Sequence, residues 1–213
     1  MFTYDVDFAL EPFIPAGVRA IELMRYFGMT YQAIRRRTPR YSLSLTLTAS
    51  QICYITGPSG SGKSVLLNAL YEQTPPSQRI RLDRIALPDD RAAIDCFDGS
   101  LHSVLRHLGE AGLSDVPTLL LPPSALSDGQ RWRYRLAAAL QQHASIVFVD
   151  EYCGTLDGLT ALVVSFHVRR IADRTGRIFV LAGCRDDVAA ELRADVLISV
   201  SAAGLHIHRR TQP

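Results

Sequence analysis

Lysine is almost missing from this chain. Of 23 Lys and Arg residues in 213, a single one is lysine, Lys63, and all the others are arginine. A strong charge of either sign is missing too. The formal net charge is +2, too small by itself to point to a nucleic acid or a membrane surface. Cysteine is sparse and scattered: Cys53, Cys96, Cys153 and Cys184 form no CxxC pair and no His/Cys spacing that suits zinc. Isolated thiols point to a reducing compartment, the cytoplasm. Long apolar runs are absent. Stretches such as LTALVVSF (159–166) fall well short of the roughly 20 residues that span a bilayer, so action at a membrane would need another chain as anchor. The N-terminal MFTYDVDFALEPF has acids and no basic region, unlike a secretory signal. There is no internal repeat and no low-complexity linker. What remains is ordinary for a globular protein, 47% hydrophobic and 21% charged, in a length that suits one well-buried domain with a small added lobe.

Periodicity organises the chain. Residues 1–40 read as an irregular lead-in with one helix, GVRAIELMRYFG (17–28), closed by RRRTPR (35–40) with Pro39 as breaker. YSLSLTL (41–47) alternates as a half-buried strand does, and QICYIT (51–56) is a second strand that runs into a glycine-rich turn. VLLNALYEQ (65–73) has helical spacing, and RIRLDRIAL (79–87) alternates like an edge strand. LHSVLRHLGEAG (101–112) and GQRWRYRLAAALQQH (129–143) are helices. SIVFVD (145–150) and RIFVLAG (177–183) are apolar enough to be strands buried on both faces. Residues 158–174 and 186–194 read as helices, and DVLISV and LHIHRR form a closing hairpin around SAAG. Alternating strands and helices predict an α/β fold with a mainly parallel sheet, antiparallel strands near the N-terminus, and one domain over 41–213 with a short helical lobe at about 97–142.

The lone lysine sits in GPSGSGKS (57–64), which fits G-x-x-x-x-G-K-[ST] between a strand and a helix. Glycines at 57, 60 and 62 let backbone N–H groups turn inward around phosphate oxygens. The helix start that follows adds the positive end of its dipole. The predicted nucleotide-binding stretch is Gly57, Pro58, Ser59, Gly60, Ser61, Gly62, Lys63, Ser64 and Val65. Lys63 reaches the outer phosphates, and the Ser64 hydroxyl binds Mg²⁺. Arginine is a broad fork and lysine a compact point charge, which is why a chain so biased to arginine keeps lysine here. IVFVDE (146–151) delivers two acids to the end of a buried strand: Asp150 as a metal ligand and Glu151 to polarise the attacking water.

LSDGQRWRYRLAAAL (126–140) carries a family resemblance. It is similar to the LSGGQ signature of ABC-type ATPases, with Leu126, Ser127, Gly129 and Gln130 matching and Asp128 in place of the first glycine. The resemblance covers residues 41–200 in the right order. It implies a P-loop core of ABC type that hydrolyses ATP with Mg²⁺. It also implies a head-to-tail homodimer in which Ser127, Gly129 and Gln130 of one chain cover the ATP of the other. GTLDG (154–158) stands at the place of the D-loop, and its Asp157 would touch the opposing protomer. Two positions depart from the pattern. Cys96 stands where the Q-loop glutamine is expected, and Arg185 where the switch histidine contacts the γ-phosphate. Arginine neutralises phosphate charge but accepts no proton, so the resemblance implies ATP binding with slow hydrolysis. For the aromatic that stacks on adenine the candidates are Phe27, Tyr31 and Tyr41, with Phe27 preferred.

The lobe between Cys96 and Leu126 is shorter than in transporter subunits of the family and resembles compact stand-alone members. The leading expectation is therefore a soluble switch or clamp acting on a macromolecular client. The alternatives are the ATP-binding subunit of a transporter and a non-hydrolysing ATP-binding module. The arginines and aromatics of RWRYR (131–135) also fit nucleic-acid stacking, an option that stays open beside the plainer reading of a solvated helix face.

Overall fold

In a computed structural model the described residues are 1–9, 16–36, 40–201 and 204–210, with residues 34–36 described in backbone alone. The chain runs β1 (Phe2–Ala9), α1 (Val18–Tyr26), α2 (Tyr31–Arg36), β2 (Arg40–Leu47), β3 (Ile52–Thr56), α3 (Lys63–Gln73) and β4 (Arg79–Arg81). A helical stretch follows, α4 (Leu101–Glu110), α5 (Val116–Leu119) and α6 (Asp128–Gln141). The chain then alternates through β5 (Ile146–Val149), α7 (Gly158–Thr175), β6 (Ile178–Ala182), α8 (Asp187–Glu191), β7 (Val196–Ser201) and β8 (Gly204–Arg209).

The main sheet has six strands in the order β4-β5-β6-β3-β7-β8. β4 through β7 pair in parallel, and β8 closes the edge antiparallel to β7. This is the mixed α/β architecture with a mainly parallel sheet that the periodicity predicts. Every residue of β3, β5 and β6 is buried. Successive side chains go to opposite faces of a strand, so each of these strands feeds two cores. Ile52, Tyr54, Val147, Val149, Phe179 and Leu181 face the helices α4, α6 and α7. Cys53, Ile55, Ile146, Phe148, Ile178 and Val180 face α3 and the β1–β2 pair.

The N-terminal antiparallel pair is present, but one of its strands lies where the sequence reads as irregular. β1 pairs with β2 along its whole length, from Phe2 opposite Leu47 to Ala9 opposite Arg40. FTYDVDFA alternates apolar and polar residues, and Tyr4 and Val6 are buried against α3 and the sheet. The Tyr4 hydroxyl lies 2.9 Å from Thr74 Oγ1 at the end of α3. α2 is a second difference, a short helix not read from the sequence. The expected edge strand 79–87 narrows to three residues, because Leu82–Arg84 turn into a single 3₁₀ turn. Residues 37–39 of the RRRTPR run, Pro39 among them, and the tip of the SAAG turn fall outside the described residues.

β1 contributes to the core through Tyr4, whose ring is almost wholly buried. Tyr4→Ala should lower the unfolding free energy by about 3 kcal/mol or more, read as a drop in the urea midpoint at unchanged slope. A midpoint equal to that of the parent chain would mean that β1 adds nothing to the core.

Candidate functional site

The carboxyl ends of β3, β5 and β6 share one edge of the sheet, and a cleft of about 580 Å³ opens there. It is lined by Gly60, Lys63, Ser64, Asp150, Glu151 and Arg185, with Ser59, Gly62, Val65 and Gly183 among their neighbours. Sequence positions more than a hundred residues apart thus meet because their strands are parallel neighbours.

The start of α3, like those of α1 and the short α8, carries no side-chain cap, unlike four other helices. α4, α5, α6 and α7 each begin with a side chain that accepts a bond from a backbone N–H: Ser100, Asp115, Ser127 and Asp157. α3 begins with Gly62 at φ 102°, with no capping side chain. Its first amides therefore keep their unpaired donors, and the helix dipole is open to an anion. Lys63 folds over the loop, where Nζ donates to the Gly57 carbonyl at 2.8 Å and to the Pro58 carbonyl at 2.7 Å. The Tyr41 hydroxyl braces the loop from behind, donating to the Ser201 carbonyl at 2.8 Å and lying 3.4 Å from the Ser61 carbonyl.

Asp150 ties three elements together. Its Oδ1 accepts from Ser64 Oγ at 3.0 Å and from the Glu151 N–H at 3.0 Å. Its Oδ2 lies 3.5 Å from Nη2 of Arg81 on β4. Ser64 and Asp150 therefore bring a hydroxyl and a carboxylate oxygen together, a hard oxygen pair of the kind that suits Mg²⁺. Glu151 has a left-handed backbone, φ 49°, which a non-glycine residue adopts only under local constraint. It lines the cleft with an exposed side chain, and among the described residues its carboxylate has no ion-pair partner.

Arg185 reaches the cleft already engaged. Nε and Nη2 hold Asp187 at 3.1 and 2.6 Å, and Nη1 donates to the Leu156 carbonyl at 2.9 Å. The fork pair with Arg185 keeps the Asp187 carboxyl below the usual carboxylate range. A guanidinium has five N–H donors, and three are used here. The other two remain for an anion.

The signature residues stand elsewhere. Ser127 and Gln130 build a reciprocal capping box at the start of α6, and Gln130 Nε2 also donates to Thr118 Oγ1 at 3.1 Å. A Cβ on Gly129 would sit 3.1 Å from Thr160 Cγ2, so a larger residue there would press on the first turn of α7. Asp157 caps that same turn, its Oδ1 accepting from the Thr160 N–H at 2.9 Å. Signature and D-loop positions are thus neighbours, and Ser127, Gly129, Gln130 and Asp157 do not line the cleft. Nor does Phe27. It ends α1 with an exposed ring that packs edge-on against Tyr26, away from the cleft lining. Of the other aromatic candidates, Tyr41 is buried behind the loop. Cys96 donates to the Ala92 carbonyl at 3.4 Å and does not line the cleft. From that loop region it is Leu87 that shares a small cavity with Glu151. The residue that sequence reasoning missed is Arg81, because nothing in an alternating edge strand shows where an arginine points.

A family model described as ABC transporter matches residues 41–100. The aliphatic sulfonates import ATP-binding protein SsuB of Yersinia pestis bv. Antiqua is 30% identical over 162 residues, covering 66% of this chain and 59% of its own length. The taurine import ATP-binding protein TauB of Pseudomonas aeruginosa is 29% identical over 192 residues, covering 77% of this chain and 72% of its own. Among solved structures, the dimeric bacterial ABC transporter cassette MJ0796 superimposes with a TM-score of 0.63 at 19% identity, over 82% of this chain and 94% of that one. This chain carries an ABC-type nucleotide-binding domain. Its match spans only 59% of the length of SsuB. Among the described residues of the domain no helix is long and apolar enough to cross a membrane.

The glycines of the ABC phosphate loop differ in what they would cost to replace. A Cβ on Gly57 would meet the Val200 carbonyl oxygen at 2.1 Å, whereas one on Gly60 would meet nothing within 4 Å. Both have positive φ. Gly60→Ala should cost about 1 kcal/mol and Gly57→Ala about 2 kcal/mol or more, measured as thermal unfolding of the two variants side by side. Equal losses would mean that Val200 yields without cost.

Proposed function

We propose that this domain binds ATP with Mg²⁺ and hydrolyses it at the interface of a head-to-tail homodimer, as a soluble, cytoplasmic switch or clamp on another macromolecule. The observation that carries the reading is the uncapped start of α3, set beside Ser64 and Asp150 with Lys63 inside the loop. Backbone amides of the loop and the Lys63 ammonium hold the phosphates. Ser64 and Asp150 hold Mg²⁺, which supplies positive charge to the phosphate oxygens when bound. Glu151, on its left-handed turn, orients a water at the cleft edge. The two unused N–H groups of Arg185 meet developing phosphate charge, though Asp187 already shares that guanidinium, which fits slow turnover. Ser127, Gly129 and Gln130 lie away from their own cleft, as a signature acting on a second molecule requires. Asp157 lies beside them on the same surface.

The four cysteines are all free, in keeping with a reducing compartment. A second reading, the ATP-binding subunit of a transporter, is favoured by the names of the relatives, which include import and export ATP-binding proteins. Stable co-purification with an integral membrane protein would move that reading ahead. Nucleic acid has little support: among the RWRYR arginines, Arg131, Arg133 and Arg135 each donate to a backbone carbonyl of the chain itself.

Two measurements test the proposal. Lys63→Ala should weaken Mg·ATP binding by tenfold or more, about 1.4 kcal/mol at the least, in a calorimetric titration; normal binding would refute the phosphate-loop reading. Glu151→Gln should leave the phosphate contacts in place and trap the closed pair. Light scattering should then report a mass shift from 23.5 kDa to about twice that value on adding Mg·ATP. Adding Ser127→Arg should abolish the shift. A monomer with ATP demonstrably bound would mean that the domain does not close on itself.

A further inference from the structure

The most buried arginine near the cleft has no part in the phosphate-loop reading. The Arg81 side chain is 6% exposed. Nε and Nη2 hold Asp83 in a two-bond fork, both at 3.0 Å. Nη1 donates to Asn68 Oδ1, and Nη2 faces Asp150 Oδ2 at 3.5 Å. α3 supplies the other wall of this nest. Ser64, Asn68 and Tyr71 are spaced i, i+4, i+7 and share one helix face. Ser64 bonds Asp150, Asn68 bonds Arg81, and the Tyr71 ring lies 5.9 Å from the Arg81 guanidinium. One face of α3 therefore serves a guanidinium and a metal-binding carboxylate at once.

Charge sets the consequence. Asp150 Oδ1 is anchored by Ser64 and by the Glu151 N–H, whether or not Arg81 is there. Arg81 engages only Oδ2. A buried cation beside that oxygen partly neutralises the carboxylate and repels a divalent cation placed on it, in a setting where solvent screens poorly. Asp83, whose side chain is 39% exposed, takes up part of the Arg81 charge from the far side.

We propose that Arg81 is a positioning residue that acts through Asp150 to weaken the site's hold on its divalent cation, and that Asp83 sets how strongly it does so. This rests on the nucleotide reading above and adds to it a short charge relay, Asp83 to Arg81 to Asp150, which keeps the metal exchangeable. The relay predicts opposite signs for its two members. Removing the Arg81 charge tightens metal binding, because Asp150 stays anchored through Oδ1. Removing the Asp83 charge turns the full guanidinium charge on Asp150 and loosens it.

The test is calorimetric titration of a slowly hydrolysed ATP analogue, ATPγS, into the intact chain, once with excess MgCl₂ and once with EDTA. The ratio of the two affinities isolates what the metal contributes, without any need for turnover. Arg81→Met should raise that ratio, and Asp83→Asn should lower it, each by about threefold or more. Ratios that match the parent, or that fall in both variants alike, would overturn the relay and leave Arg81 a purely structural residue. If Arg81→Met fails to fold, Asp83→Asn decides alone: a lower ratio supports the relay and an unchanged or higher one overturns it. A parent chain that binds no ATPγS under either condition overturns the nucleotide reading itself, and the relay with it.

Discussion

The parallel register of β4, β5, β6, β3 and β7 is the constraint on which the rest of the molecule depends. Parallel strands must be joined by crossovers, and the crossovers here are helices that cover both faces of the sheet. Burial on both faces leaves strand interiors no room for chemistry. It also gives all their carboxyl ends one common edge. There the chain leaves β3 into the phosphate loop, β5 into Asp150 and Glu151, and β6 into Gly183 and Arg185. Gly183 shows how tightly that edge is packed, since a Cβ there would lie 2.6 Å from the Tyr54 hydroxyl. That hydroxyl in turn donates to the Arg185 carbonyl at 2.7 Å. A core side chain on β3 thus fixes the backbone of the residue beside the cleft.

Within that edge, the start of α3 keeps unpaired donors beside the cleft. Buried or half-buried N–H groups are costly unless satisfied. The chain pairs them at four helix starts with Ser100, Asp115, Ser127 and Asp157. Glycine in place of a capping side chain at the start of α3 forgoes only a few tenths of a kcal/mol of helix stability, and Gly62 and Gly57 adopt positive φ that other residues would hold only under strain. Lys63 offsets part of this by bonding two loop carbonyls. A guanidinium is wider and planar, and the two carbonyls are on adjacent residues, Gly57 and Pro58. The compact ammonium answers the space available, so the single lysine of the chain marks the place where charge must be small as well as positive.

How much of this was legible follows from what each signal depends on. The phosphate loop, Asp150 and Glu151 are local in sequence and sit at the ends of apolar runs, so both motif and placement could be read. The signature helix was legible for the same reason: Ser127 and Gln130 are a capping box whatever else they do. β1 was not read, although Phe2, Tyr4, Val6 and Phe8 alternate, because its partner lies some thirty residues on and no tight turn links the two. Arg81 was out of reach altogether. Its meaning comes from Asn68, Asp83 and Asp150 meeting on three different elements, a fact of packing and not of pattern. Phe27 is an aromatic ahead of the loop in sequence, but it closes α1 outside the cleft lining, and its place relative to the cleft depends on how residues 1–40 pack, which no local motif encodes.

The signature surface shows how one residue can serve folding and still keep chemistry in reserve. The Ser127 oxygen accepts from the Gln130 N–H at 3.4 Å, a long bond that uses only a lone pair. The hydroxyl proton takes no part in the capping box and is free to donate. A phosphate oxygen arriving from a second molecule could accept that proton without breaking the cap that holds α6 together. The Gly129 backbone lies flush against Thr160, at the helix start that Asp157 caps, so signature and D-loop positions form one packed surface. A surface that is already organised loses little entropy on meeting its ligand. Its geometry is therefore set by intramolecular bonds, so that in the proposed dimer closure would have only to bring two finished half-sites together.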